Sequence, residues 1–483
     1  MSAIEGLKPG SLWRFFQEIS MIPRESKHED GIREYVVLTA ARLGLTSIVD
    51  AAGNVIVYKP GSGSGSPVIL QSHLDMVCEK DKGTDHDFGT DPIRLVRDGD
   101  WIRADGTTLG ADNGIGVAAM LAVMEDASLT HPDIEFLFTI DEETGLTGAN
   151  LLEPGIFKAR TLINLDSEED GTLFIGCAGG KNTDCSLEVA VEDAPRSLVP
   201  VSIKVTGLAG GHSGTDIHRG RGNATKLLVR FLKHLAADAP CRLSSLSGGS
   251  KHNVIPREAE AVILAGAEDL DGLLRLAKVT NEAFAAELSG IDDHVRIVVS
   301  RDAPAQKTVV AQKDTALILD LLHALPHGVM QMNEADGGFV VTSTNLAICT
   351  LDDSRLSVLT NQRSAYKSSI EDISEMVASI GRMAGAHVVK ESDYPAWRPD
   401  FGSRVLALSK EIYAGMFGAA PEVKVIHAGL ECAVFGEKIP GLDMISFGPT
   451  IEQAHSPSER VLIGGVERMW VFLTRLLEGL SGR

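Results

Sequence analysis

The side chains best suited to chemistry in this sequence stand where apolar runs end. The run Val68–Asp75 (VILQSHLD) closes on His73, one spacer and Asp75. In an extended segment, residues i and i+2 point to one face, so both can aim at one place. A neutral imidazole ligates metals, and a nearby carboxylate can orient it. Alone the pattern is weak, because a hydrogen-bonded histidine at a strand end looks the same. The run Ile134–Glu143 (IEFLFTIDEE) ends in three consecutive acids. Adjacent carboxylates repel, and at a buried strand end they are costly unless a cation lies near. The bland alternative is a solvated turn, which would suffice for Asp141. Once the backbone turns, one of Glu142 and Glu143 can bind a metal while the other works as a base. A third run, Thr161–Asp166 (TLINLD), ends in Asp166. Asp112 and Asn113 open a helix after Thr107–Gly116 (TTLGADNGIG). An N-cap is the ordinary reading of such residues. Glycines on both sides allow a close backbone approach and favour a ligand carboxylate.

The elements that must position these groups follow from the same runs. Three strands ending in His or carboxylate converge on one sheet edge, and open α/β sheets place their sites beyond the carboxyl ends of strands. Residues 11–44 read as helical, Asn54–Lys59 as a strand, and Gly61–Ser66 (GSGSGS) as a flexible hairpin loop between two strands. Near Cys185 the texture changes to alternating strands and helices. The Gly-rich loop Ala209–Gly222 carries His212, whose setting suits a side chain that reaches a ligand. A phosphate site is disfavoured there, since the loop has neither a Walker lysine nor G-x-G-x-x-G after a strand. From about residue 395 the first texture returns, and the loop IEQAHSPSER holds His455. A chain that leaves a domain and comes back contains an inserted one. The expected division is 1–185 with 389–483, and an inserted α+β domain at 186–388.

Composition narrows the function classes. A chain of 483 residues is too long for one ordinary core. A net charge of −21 argues against a nucleic-acid surface or an anionic membrane as partner. The sequence shows no signal peptide and no membrane-spanning run. Six scattered Cys without a C-x-x-C pair fit reduced thiols. The expected location is the cytoplasm.

The motifs LQSHLDMV, GTTLGADNGIG, EE-x-G, DSEE, GCAGG, GGHSG, NVIPREA, HAGLEC and HSP, in this order, span essentially the whole chain. Together they resemble the co-catalytic di-zinc metallopeptidases of the carnosinase, peptidase V and aminoacylase group, and within it the Xaa-His dipeptidases. The resemblance implies an α/β fold: a three-layer catalytic domain with a mixed, mostly parallel sheet, plus an inserted lid. It implies two Zn2+ per chain, with Mn2+ or Co2+ as substitutes. His73 and Asp166 would bind one metal, Glu143 and His455 the other, and Asp112 both. Asp75 would orient His73, and Glu142 would be the general base acting on a metal-bridged hydroxide. In the lid, His212 would contact the scissile carbonyl. Asn253 and Arg363 would hold substrate, joined by Gly429 and Glu431. The implied substrates are unblocked dipeptides, including beta-alanyl-histidine. Alternatives are a broader di- or tripeptidase, an N-acyl-amino-acid hydrolase, or a peptide-binding relative without catalysis. The implied partner is a small peptide. A homodimer is open, with His212 supplied in cis or in trans. Asp141 departs from the pattern by adding charge beside the base.

Overall fold

The computed structural model describes residues 3–238, 242–334, 338–352 and 354–482. The chain forms two compact units. One comprises Met1–Cys177, Trp397–Val425 and Leu430–Arg483, the other Ala178–Ala396 with Ile426–Gly429. The divisions lie outside the expected 185/186 and 388/389. The reason is the strand Gly179–Glu188, which pairs with Arg355–Ser364 and His387–Tyr394 inside the second unit's sheet.

In the first unit, eight strands among the described residues form one sheet. Their order is Thr46–Val49, Val55–Lys59, Ile134–Thr139, Val68–His73, Thr161–Asn164, Asp443–Ser446, Thr172–Cys177 and Glu422–Ile426. The four strands from Ile134–Thr139 to Asp443–Ser446 are parallel, and Val55–Lys59 and Thr172–Cys177 join them antiparallel. Every residue of Val68–His73 and Ile134–Thr139 is buried, as parallel strands covered on both faces require. Val68 and Leu70 share a core with Leu12, Phe16, Met120 and Leu473. Ile69, Leu137 and Leu162 alternate to the opposite face and are equally buried. The fold is thus α/β with a mixed, largely parallel sheet.

The Gly61–Ser66 segment does not close a hairpin. Ile134–Thr139 lies between the two strands it connects, antiparallel to one and parallel to the other. The segment follows the end of the C-terminal helix Ile463–Ser481, with the Ser64 N–H donating to Ser481 O at 2.9 Å. A Cβ on Gly65 would strike the Leu480 carbonyl oxygen, so its glycine serves close approach rather than flexibility.

The second unit is an antiparallel sheet with helices. Its order is Arg296–Ser300, Leu198–Thr206, Ala259–Gly266, Arg242–Gly248, Phe339–Asp352, Arg355–Ser364, Gly179–Glu188 and His387–Tyr394, with Gly328–Asn333 also on Phe339–Asp352. Helices Ala224–Asp238, Leu270–Glu287, Gln312–Ala324 and Lys367–Met383 supply core residues such as Leu228, Phe231, Phe284 and Val377. Cys78, Cys177, Cys185, Cys349 and Cys432 are free thiols, and Cys241 lies outside the described residues. No described helix is long and apolar enough to cross a membrane.

Candidate metal centre

The carboxyl edge of the first unit's sheet gathers the five expected ligands. His73 ends its strand, and its Nε2 lies 3.2 Å from both Asp112 Oδ1 and Asp166 Oδ1. His455 Nε2 lies 3.1 Å from Asp112 Oδ2 and 3.2 Å from Glu143 Oε2. Two clusters result, His73–Asp112–Asp166 and Asp112–Glu143–His455, each with its ligand atoms within 4.8 Å. They share Asp112, one oxygen to each side. The Asp112 side chain caps no helix N–H: near the start of Ala111–Glu125 its carboxylate faces the imidazoles instead.

Two imidazoles facing three partly buried carboxylates set the charge balance. Burial opposes protonation of His73, but Asp166 and Asp112 outweigh it and raise its pKa well above the usual. His455 is pushed up to about 11, first by its contacts with Asp112 and Glu143. Burial raises Asp112, yet both imidazoles pull it below the usual carboxylate range. Asp166 has one imidazole only, and burial lifts it to about 6. Protons therefore occupy the place where cations fit. Glu143 Oε1 is buried without a hydrogen-bond partner, as a ligand oxygen awaiting an ion would be. Nitrogen and carboxylate donors in this number suit a borderline ion such as Zn2+.

Glu142 lies within the same 4.8 Å of His73 and Glu143 but makes no ion pair with either imidazole. The strand stops at Thr139, Asp141 turns left-handed (φ 49°), and Glu142–Gly145 makes one helical turn. Burial first, then Asp166, Glu143 and Glu431, raise the Glu142 pKa well above the usual. Asp141 is not among those charges. Its carboxylate turns away to accept from the Thr144 and Thr147 hydroxyls.

Asp75 does more than orient a ring. It lies 3.3 Å from His73 Nδ1 and accepts from the N–H groups of Glu142 (3.0 Å) and Glu143 (3.1 Å) and from Ser26 Oγ (2.8 Å). Burial pushes it up, but His73 and these donors bring it to about 2. One carboxylate thereby fixes a ligand histidine and the turn carrying Glu142. Glu431 lies behind the ligand clusters, beneath the strand ends. It is fully buried, and its Oε2 accepts from Gln71 (2.5 Å) and Thr139 (2.8 Å). Burial lifts it to about 8, and the Asp166 and Asp75 carboxylates add to the rise.

The second unit brings His212, Arg363 and Gly429 into one neighbourhood. His212 Nδ1 accepts from the N–H groups of Gly214 (3.2 Å) and Thr215 (3.1 Å). An accepting Nδ1 requires the proton on Nε2, which makes that atom a donor. Arg363 is buried, its Nε donating to Asn361 (3.1 Å) and its Nη1 to the Tyr394 hydroxyl (2.8 Å). Gly429 packs on the Tyr394 ring, where a Cβ would sit 3.0 Å from Cε2. Asn253 joins through its backbone, its carbonyl accepting from the Ser213 N–H at 2.8 Å. His427 was not foreseen: it contacts Ser343 Oγ at 2.8 Å, and burial with Arg363 pushes it down to about 3. It stays neutral at physiological pH.

A cytosol non-specific dipeptidase of Escherichia coli K12 is 40% identical over 487 residues, covering 100% of both chains. The crystal structure of aminoacylhistidine dipeptidase from Vibrio alginolyticus is 41% identical, covers 98% of this chain and 97% of its own, and superposes with a TM-score of 0.88. Human carnosine dipeptidase 1 shares the fold alone, at 12% identity and a TM-score of 0.51 over 97% and 96% of the chains. The sequence model of peptidase family M20/M25/M40 matches residues 69–479. This span takes in every expected ligand from His73 to His455, and the chain belongs to that family of metal-dependent peptidases.

Proposed function

We propose that the chain is a cytoplasmic dipeptidase that hydrolyses unblocked dipeptides, above all Xaa-His substrates including beta-alanyl-histidine, with two Zn2+ ions. The observation that carries the reading is the pair of ligand clusters sharing Asp112, with Glu142 beside them and bound to neither imidazole. His73 and Asp166 would hold one ion, Glu143 and His455 the other, and Asp112 both. When bound, the ions supply positive charge that acidifies water and polarises a carbonyl. Glu142 takes the water proton and passes it to the leaving amine. Asp75 keeps that base in register by accepting the Glu142 N–H. His212 donates from Nε2 to the developing oxyanion, and Arg363, with Asn253 and Gly429, receives the carboxylate end of the peptide. A small peptide is the only partner the reading needs, with neither nucleic acid nor membrane.

A second reading is a broader dipeptidase, because relatives of almost equal identity are named one for aminoacyl-histidine and one as non-specific. Cleavage of a panel decides between them: beta-alanyl-histidine, other Xaa-His dipeptides, dipeptides lacking His, a tripeptide and an N-acetylated amino acid. Preference for free-amine Xaa-His supports the first reading, and even cleavage of all dipeptides the second. Cleavage of the N-acetylated compound alone overturns both. Mixing His212→Ala with Glu142→Gln protein tests a homodimer that supplies His212 in trans. Recovered activity supports it, and none after demonstrated subunit exchange places His212 in cis.

A further inference from the structure

Glu459 lies four positions after His455 and is 2% exposed. Its carboxylate collects four consecutive backbone N–H groups from the turn that leads to Asp112. Oε2 accepts from Leu109 at 2.7 Å and Gly110 at 2.9 Å, and Oε1 from Ala111 at 2.8 Å and Asp112 at 3.3 Å. The opposite polarity of the same turn is taken by Arg24, itself 3% exposed. Its Nη2 donates to Gly110 O at 2.5 Å, and its Nη1 to Leu74 O at 3.1 Å and Asp75 O at 3.0 Å. Gly110 has φ 66°, and a Cβ there would collide with the Arg24 guanidinium and the Met76 sulfur. A buried carboxylate is costly unless it is fully hydrogen-bonded and countered by a cation, and both conditions are met here.

A plain helix cap would explain the four N–H bonds but not where the carboxylate comes from. It belongs to the loop that bears His455. That loop is closed at its base by the pairing of Ile451–Glu452 with Arg460–Leu462. Within it Gln453 and His455 adopt left-handed angles (φ 57° and 61°), and the Glu459 N–H returns to Ser456 O at 3.0 Å. One side chain therefore ties the His455 loop to the backbone of Asp112, and His455 and Asp112 belong to the same cluster.

We infer that Glu459 is a positioning residue that sets the spacing of His455 and Asp112 and so governs the affinity of the metal they share with Glu143. The inference rests on the two-metal reading of the site. Glu459→Gln keeps the shape but turns an amide N–H2 toward two of the N–H groups. Zn2+ binding to chelator-treated protein, followed by calorimetry, should show the ion assigned to His455 and Glu143 weakened about 10–100-fold and the ion assigned to His73 and Asp166 weakened much less. The His455→Ala isotherm identifies which ion is lost, and raising free Zn2+ should restore dipeptide turnover to Glu459→Gln. A merely structural role would lower the melting temperature and leave the two ions equally affected. Two ions bound by folded Glu459→Gln as by wild type overturns the inference. Should Glu459→Gln not fold, Glu459→Asp, with its charge kept and its reach shortened, must give the same unequal loss, and wild-type binding overturns the inference there too. Wild-type protein that binds fewer than two ions overturns the two-metal reading, and the inference with it. Wild-type protein that binds two ions but cleaves no dipeptide overturns only the proposed activity.

Discussion

Asp112 joins the two ligand clusters because each of its oxygens faces a different imidazole. Without metal, those imidazoles hold protons, and His455 keeps its proton up to about pH 11. Since the folded pKa values are raised, loading at pH 7 must expel protons, and affinity should weaken as pH falls. Calorimetry in buffers of different ionisation enthalpy should report proton release on Zn2+ binding; buffer-independent heats would contradict it. Glu142→Gln should keep both metals and lose about 10²–10⁴-fold in kcat, measured on beta-alanyl-histidine alongside metal content. Of the expected ligands, His73, Glu143 and Asp166 were legible at the ends of apolar runs and Asp112 at a glycine-flanked helix start, whereas His455 lies in a loop and was reached through the family resemblance. Glu459 was not, because the N–H groups it accepts lie up to 350 positions away and nothing local marks it. The second task of Asp75 was hidden too, since it depends on the turn after Thr139.

The strands were legible as elements, while their neighbours were not. Apolar runs identify buried strands, yet the sequence order of Val55–Lys59 and Val68–His73 hides the strand Ile134–Thr139 inserted between them. The glycines of Gly61–Ser66 looked like flexibility and serve contact with the C-terminal helix. Gly65→Ala should accordingly destabilise the fold by about 1–3 kcal/mol, read from urea unfolding. At the start of helix Glu431–Lys438, Glu431 has a folded pKa of about 8, above its unfolded value. Its contribution to stability is complete below the unfolded pKa and is lost as pH rises toward 8. In metal-free protein, Glu431→Gln should flatten that decline by up to about 1.4 kcal/mol per pH unit, measured by thermal or denaturant melts from pH 5 to 8.

At the scale of the molecule, the return of the chain to its first texture revealed an insertion. The boundary strands were less visible, because the change of texture near Cys185 falls inside the strand Gly179–Glu188, all of which pairs within the second sheet. All five expected ligands belong to the first unit, and His212, Asn253, Arg363 and Gly429 to the second. Metal content can thus be varied without touching the residues assigned to the peptide. The most direct measurement is histidine release from beta-alanyl-histidine as chelator-treated protein is titrated with Zn2+. Two-metal catalysis should give no turnover without metal and a rise that levels off at two equivalents per chain. Full turnover in the chelated protein, or a plateau at one equivalent, would contradict a centre built on two ions that share Asp112.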